Sequence, residues 1–136
     1  NIYKSNVFSD DTGLEIEALN NEPGVRSARY SGEEKNPLKN IELVLKKLEG
    51  ISNRKARFRT VISLIYNDKN YCFEGIVNGT IIDKPKGNMG FGYDPIFVAN
   101  NMKETFAEIS LDEKNKISHR AIATNKLIDF LSKKVF

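Results

Sequence analysis

Two long segments near the middle of the chain constrain its fold more strongly than any other feature. Residues 71–82 have a strand-like composition, and residues 56–66 alternate with period two, placing on one face Phe58, Thr60, Ile62, Leu64 and Tyr66. The short polar stretch Asp68-Lys69-Asn70 joins the two segments. Such alternation is typical of half-buried strands, and a short polar connection favours a hairpin. The sequence therefore predicts a long central β-hairpin.

Helices are predicted on either side of this hairpin. Residues 37–49 predict a helix that stops at Gly50, because apolar residues recur at helical spacing at Leu38, Ile41, Leu45 and Leu48. A brief helical turn follows the capping-box spacing that begins at Ser110. The last predicted helix runs from about Arg120 to Lys134, is capped by Ser118, and buries Ala123, Leu127, Phe130 and Leu131.

Shorter strands complete the predicted elements. Residues 6–8 predict an apolar strand that ends at Ser9-Asp10-Asp11-Thr12-Gly13, and residues 14–19 alternate like a second, half-buried strand. Residues 96–98 predict a third short strand after a loop at residues 84–95 that is rich in glycine and proline. Strands and helices mixed in this way predict the α/β class (mixed α+β).

Composition excludes several classes of protein. The 136 residues suit one domain, residues 1–136, and no apolar run approaches the ~20 residues of a membrane helix. Cys72 is the single cysteine, which excludes a disulfide framework and fits a reduced, cytoplasmic location. The formal net charge is only +3, and basic residues alternate with acidic ones, unlike the clustered stripe of a nucleic-acid-binding protein.

The adjacent carboxylates Asp10 and Asp11, followed by Thr12 and Gly13, form the first candidate site. At the end of a strand, one carboxylate can face a cleft while its neighbour points away. A carboxylate facing the cleft can bind Mg²⁺ or act as a general base on a water molecule. A simple turn with a helix cap explains these residues equally well.

The second candidate site is the glycine-rich segment 87–95, in which Phe91 stands between Gly90 and Gly92. Glycine neighbours allow a ligand to approach the backbone, and an aromatic ring there offers a stacking face to a base. Asp94 would accept hydrogen bonds from the N–H groups of such a base. The alternative is a glycine-rich turn with Phe91 packed in the core.

The third candidate site lies before and within the first turn of the last helix, where Ser118 stands among the cationic or potentially cationic Lys114, Lys116, His119 and Arg120. The helix dipole disfavours cations at a helix N-terminus by about 0.3–1 kcal/mol each, which favours an electron-rich ligand at this position. A phosphate or a keto oxygen of a base would serve. The alternative is a solvated basic helix start.

Together these segments resemble the non-canonical purine nucleoside triphosphate pyrophosphatases, the inosine/xanthosine triphosphate diphosphatases. The matching stretches are SDDTGL at 9–14, PGVRSARYSG at 23–32, GFGYDPIF at 90–97 and KNKISHR at 114–120. They occur in the family's order with similar gaps. The resemblance implies a two-lobed fold, in which a mixed sheet with flanking helices surrounds a central cleft.

The resemblance also implies a function and its residues. It implies Mg²⁺-dependent hydrolysis of ITP, dITP and XTP to the monophosphate and pyrophosphate, by a cytoplasmic homodimer without nucleic-acid or membrane partners. Asp11 would be the general base and a magnesium ligand. The implied substrate contacts are Thr12, Phe91, Gly92, Tyr93, Asp94, Lys114, Ser118, His119 and Arg120. Keto oxygens at C6 of the base would meet donors of His119 and Arg120, which adenine would leave unpaired.

The chain also departs from the family pattern. The family's Ser/Thr-x-Asn-x-x-Lys loop, which grips the triphosphate, and its upstream metal-binding glutamate do not occur in this sequence. We therefore expect a C-terminal portion of the family's domain, truncated at its N-terminus. A catalytically silent purine-nucleotide-binding module is one alternative. Another is a small RNA- or DNA-binding domain that uses Phe91 and the basic residues, although the weak net charge counts against it.

Overall fold

The computed structural model describes residues 6–135, and the side chains of residues 9–133, as one five-stranded sheet with helices. The strand order is β2-β1-β3-β4-β5, and each neighbouring pair is antiparallel. The strands are β1 (Asn6–Ile16), β2 (Glu22–Pro23), β3 (Lys55–Tyr66), β4 (Lys69–Ile81) and β5 (Phe97–Ala99). The helices are α1 (Pro37–Lys47), α2 (Leu111–Ile117) and α3 (His119–Val135).

The predicted hairpin is confirmed as β3 and β4, although its connection is shorter than predicted. Tyr66 pairs with Lys69, so only Asn67 and Asp68 form the loop. Both adopt positive φ, 51° and 65°, a conformation that Asn and Asp tolerate better than most residues. A two-residue turn in this conformation matches the twist of the flanking strands. Lys69 and Asn70 can therefore pair with β3 as part of β4.

The expected strand end at the adjacent carboxylates is wrong. β1 runs without interruption from Asn6 to Ile16, and Asp10, Asp11 and Gly13 each pair with a residue of β3. Because the long neighbouring strand offers partners to every residue of this segment, the ladder prevails over the local preference of Asp and Gly for turns. The alternative of a simple turn at these residues is wrong for the same reason.

Within residues 6–135, helices cover one face of the sheet (the covered face), and no helix covers the other (the open face). Helix α1 and the segment around Phe106 cover one half of the covered face, where the ring centroids of Phe58, Phe97 and Phe106 lie within 6 Å of one another. Helix α3 covers the other half through Ala123 and Leu127. Residues of β3 alternate accordingly between buried and accessible positions.

The buried face of α1 contains the predicted Ile41 and Leu48, with Leu45 packed against the core, but it does not contain Leu38. Leu38 is 72% exposed, whereas Asn40, Ile41, Val44 and Leu48 are buried. Asn40 faces inward because its amide bonds four partners in the preceding segment: Ser27 O, Ala28 O, Ser31 N and Ser31 Oγ. The helix is therefore rotated relative to the pattern of its leucines alone.

The helix caps agree with the sequence. Ser110 Oγ accepts a hydrogen bond from Glu113 N at the start of α2, and Ser118 Oγ accepts one from Ala121 N at the start of α3. The predicted α/β class is confirmed. The described strands form an antiparallel sheet rather than the mixed sheet that the resemblance implies, because their connections reverse the chain direction. No helix within residues 6–135 is long and apolar enough to span a membrane.

Gly75 allows α3 to approach β4 closely. A Cβ atom at this position would collide with the backbone of His119 and of Ala123. We therefore expect Gly75→Ala to lower the free energy of unfolding by about 1–3 kcal/mol, the usual cost of overpacking. Urea denaturation measures it. Asn78→Ala, at an exposed position of the same strand, is the control and should stay within about 0.5 kcal/mol of the parent. Equal stabilities for the two variants would contradict the close approach.

Candidate functional site

A cavity of about 330 Å³ opens on the covered side of the sheet. Its walls are β1, the segment from Ser27 to Asn40, the aromatic loop at Phe91–Asp94, and the α2–α3 junction. All the predicted substrate contacts except Ser118 line this cavity: Thr12, Phe91, Gly92, Tyr93, Asp94, Lys114, His119 and Arg120. Ser118 lines a neighbouring cavity instead, and its side chain caps α3.

A buried ion pair joins the aromatic loop to α2. Lys114 Nζ lies 2.6 Å from Asp94 Oδ2, and the two residues are only 5% and 2% exposed. The same carboxylate oxygen accepts a hydrogen bond from Phe91 N at 2.9 Å. Asp94 Oδ2 touches the position that a Cβ of Gly90 would occupy, so the tight turn requires glycine there. Asp94 thus shapes the loop, and its predicted role toward a ligand stays a prediction.

Phe91 is 68% exposed, so the alternative in which it packs in the core is wrong. Its ring lies over Lys114 Nζ, 4.2 Å from the ring centroid, a cation–π contact. The buried lysine therefore supports the ring from the protein side. An accessible aromatic face held in this way suits stacking against a planar base.

His119 is buried at the back of the cavity and stacks on Phe58, with ring centroids 4.8 Å apart. Burial, with smaller contributions from Lys114 and Arg120, lowers the pKa of His119 to about 4. The imidazole is therefore neutral at pH 7. Its Nδ1 has no hydrogen-bond partner among the described residues, and an unpaired buried nitrogen is costly unless a ligand satisfies it. The alternative of a solvated basic helix start is wrong for Lys114 and His119.

Arg120 connects the start of α3 to β1. Its Nη2 lies 3.7 Å from Asp10 Oδ2 and donates a long hydrogen bond, 3.4 Å, to Thr12 Oγ1. Thr12 Oγ1 is also 2.9 Å from Thr60 Oγ1. Asp10 therefore lies on the covered side of the sheet, where it forms a long, partly exposed ion pair with the guanidinium.

Asp11 lies on the opposite, open face, because side chains alternate along β1. It lines a separate cavity of about 260 Å³, together with Glu15 and Arg59. Thr12 and Gly13 line both cavities. The expectation that the two carboxylates point to different sides agrees with the structure, but Asp11 does not line the cavity that holds the other predicted residues.

Sequence analysis missed a hydrogen-bond network that fixes the cavity wall. Tyr93 OH donates to Ser27 O at 2.6 Å, and Ser27 Oγ accepts from Leu14 N while it donates to Gly24 O. Asn40 holds the same segment from α1. The signal in the sequence was a polar residue, Asn40, within the apolar side of a helix. The hydroxyl of Tyr93 is occupied by this network.

The comparisons with known proteins agree on one family. Residues 1–130 match the model of the Ham1 family. A dITP/XTP pyrophosphatase of Flavobacterium psychrophilum is 52% identical over 128 residues, which cover 94% of this chain and 67% of that protein. One of Porphyromonas gingivalis is 50% identical over 130 residues, covering 95% and 67%.

Solved structures give the same result. The Staphylococcus aureus Ham1 protein superposes with a TM-score of 0.93 at 46% identity, covering 96% of this chain and 68% of that one. A HAM1 protein from Coxiella burnetii gives 0.91 at 40% identity, with the same coverage. The chain thus spans about two thirds of the length of these relatives.

Removal of one partner of the buried ion pair should destabilise the fold. Lys114→Met leaves the Asp94 carboxylate buried without its cation, so we expect the free energy of unfolding to fall by about 3–5 kcal/mol. Lys133→Met, which breaks a surface pair with Asp129, should change it little. Chemical denaturation of both variants makes the comparison. A Lys114→Met protein as stable as Lys133→Met would contradict the burial of this pair.

The low pKa of His119 predicts a specific pH dependence. His119 has a pKa of 6.5 in the unfolded chain and about 4 in the folded protein. As the pH falls, the histidine is therefore protonated in the unfolded chain before it is protonated in the folded protein. The contribution of His119 to stability is therefore complete above pH 6.5 and is lost as the pH falls toward 4. NMR titration measures the pKa without ambiguity, since this is the only histidine. A midpoint near 6.5 would show that the imidazole is not buried as described.

Proposed function

The chain belongs to the Ham1 family, and on that basis we propose that it is a nucleoside triphosphate pyrophosphatase. It hydrolyses non-canonical purine nucleoside triphosphates, ITP, dITP and XTP, between the α- and β-phosphates, and so releases the monophosphate and pyrophosphate. Two of its curated relatives carry the name dITP/XTP pyrophosphatase. The observation that carries the proposal is the cavity in which Phe91, supported by Lys114, faces the neutral His119 and Arg120.

Selection of the base follows from the hydrogen-bonding groups of this cavity. A purine stacked on Phe91 turns its edge toward His119 and Arg120, whose guanidinium carries only donors. Hypoxanthine and xanthine present an acceptor, the C6 keto oxygen, whereas adenine presents an amino donor at the same position. Adenine therefore leaves donors unpaired in a partly buried site, a mismatch that can discriminate by orders of magnitude.

Asp11 is the general base of the proposed reaction. Its carboxylate takes a proton from the attacking water as the bond between the phosphates breaks and pyrophosphate leaves. The nucleotide reaches it past Thr12, which lines both cavities, because the backbone of Gly24 packs against Gly13. β2 pairs with β1 only at Glu15 and Ile16, so the edge of β1 near Thr12 is not covered by β2. The base then lies on the covered side of the sheet and the phosphates lie on the open side.

The residues present fit Mg²⁺ as the cofactor. The described residues contain no group of three or more His, Cys, Asp or Glu side chains placed to hold a metal ion. Mg²⁺ is usually bound through one or two carboxylates together with substrate phosphates, so Asp11 would hold the ion together with a bound triphosphate. When bound, the metal would neutralise charge on the phosphates.

The remaining parts of the proposal concern the setting of the enzyme. We place it in the cytoplasm, where it removes deaminated nucleotides from the pool, and we propose a homodimer without nucleic-acid or membrane partners. The resemblance to the family supports this assignment, and the +3 net charge is small for a nucleic-acid-binding protein. No observation favours the catalytically silent module.

Pyrophosphate release tests the proposed activity. In the presence of Mg²⁺ we expect release from ITP well above that from ATP, and Asp11→Asn should lower kcat for ITP at least about a hundredfold, as loss of a general base does. Asp10→Asn is the matched comparison: it should mainly raise KM, because it removes the ion pair of Asp10 with Arg120 and leaves Asp11 in place. Equal turnover of ITP and ATP would contradict the base selection. Calorimetric binding of ITP without turnover would support the silent module instead.

A further inference from the structure

The cavity beside Asp11 contains a guanidinium that the proposed mechanism has not used. Arg59 of β3 is paired with Gly13 of β1 and lies between the side chains of Asp11 and Glu15 on the open face. Gly13 has no side chain, and the backbone carbonyl of Gly24 occupies the position that a Cβ atom would take there. Gly24 and Val25 close this cavity at the edge of the sheet.

Glu74 of β4 holds Arg59 in a defined orientation. One oxygen, Glu74 Oε2, accepts from Arg59 Nε at 2.7 Å and lies 2.6 Å from Nη2. The third nitrogen, Nη1, is 3.7 Å from Glu15 Oε2, which is longer than a hydrogen bond. The hydrogen bond to Glu74 raises the pKa of Arg59, so the guanidinium stays charged. Its side chain is 40% exposed and can be reached from solvent.

The charges in this cavity also need a cation. Asp11 and Glu15 are both acidic, and two carboxylates repel a phosphate that approaches Asp11. Arg59 supplies the positive charge among the residues that line the cavity. A guanidinium is also a planar fork of donors that matches phosphate oxygens. Its Nη1 group is the part not held by Glu74.

We propose that Arg59 binds the phosphate chain of the nucleotide beside Asp11, and the pyrophosphate after cleavage, and that Glu74 is its positioning residue. This inference rests on the proposed function, because it requires the phosphates to lie on the open face. It assigns to β3 a phosphate contact that lies outside the four segments of family resemblance.

Arg57 provides a matched control for Arg59. Both arginines lie on the open face of β3, two residues apart, and both pair with Glu15. Arg57 Nε donates to Glu15 Oε1 at 2.6 Å, but Arg57 lines a different cavity, one that does not contain Asp11. Replacement of either arginine removes one positive charge, so an effect of charge alone would weaken phosphate binding in both variants. Loss of a direct phosphate contact would weaken binding only when Arg59 is replaced.

Titration of inorganic pyrophosphate by calorimetry, with Mg²⁺ present, tests the proposal. Arg59→Gln should weaken binding roughly ten- to a hundredfold, as loss of a charged hydrogen bond does, and Arg57→Gln should stay within about twofold. Arg59→Lys should recover part of the loss. Glu74→Gln should weaken binding about three- to tenfold, because Arg59 loses its orientation. Thermal unfolding shows whether each variant is folded. If Arg59→Gln does not fold, the affinities of Arg59→Lys and Arg57→Lys for pyrophosphate are compared instead.

Three results would overturn the proposal. They are equal weakening of pyrophosphate binding by Arg59→Gln and Arg57→Gln, no weakening of it by Arg59→Gln, and no measurable binding of pyrophosphate by the unaltered chain. These outcomes are separable from failure of the proposed function. If ITP is hydrolysed and KM is unchanged by Arg59→Gln, only the role of Arg59 fails. If pyrophosphate binding depends on Arg59 but ITP is not hydrolysed, only the proposed activity fails.

Discussion

The alternation of side chains across the central strand β3 determines on which side of the molecule each functional group lies. Its even-numbered residues from Ala56 to Leu64 are buried beneath the covering helices and aromatic segments, and the residues between them face the open side. Because β1 pairs with β3 residue by residue, Thr12 opposes Thr60 while Asp11 opposes Val61. Neighbouring residues of one strand therefore serve two cavities. A slip of one residue would exchange them, so the buried face of β3 also fixes the chemistry of β1.

On the covered side, one buried ion pair organises the groups around it. The Asp94–Lys114 pair lies where charges are poorly solvated, and such pairs contribute more to a defined geometry than to net stability. Lys114 supports the exposed ring of Phe91, and its positive charge adds to burial in lowering the pKa of His119. The neutral imidazole is thus partly a consequence of the lysine beside it. A ligand that approaches Phe91 meets a site in which a lysine charge is already compensated by a carboxylate.

Sequence reasoning predicted the elements well and their relative placement less well. The hairpin, both long helices and the caps at Ser110 and Ser118 follow from local patterns, and the structure contains them. The continuous strand through Asp10 and Asp11 could not be predicted from those residues, because its ladder partners lie about fifty positions away in β3. The same holds for Asn40 and Tyr93, whose buried hydrogen bonds depend on tertiary contacts. Motifs identified the residues of the base cavity, but the separation of Asp11 from that cavity required the register of the sheet.

Different interactions hold the cavity beside Phe91 and the cavity beside Asp11. This difference suits the recognition of a base in the first cavity and of phosphates in the second. Buried hydrogen bonds from Ser27, Asn40 and Tyr93 fix the wall of the base cavity, so its shape is set before a ligand arrives. The open side is instead held by partly exposed ion pairs of Arg57 and Arg59 with Glu15 and Glu74. Such pairs are weak individually and are screened by salt. Under the proposed function, discrimination between similar bases would use the rigid wall, whereas the phosphate chain would meet charged groups that are accessible on the open face. A sheet with one packed face and one open face supplies both.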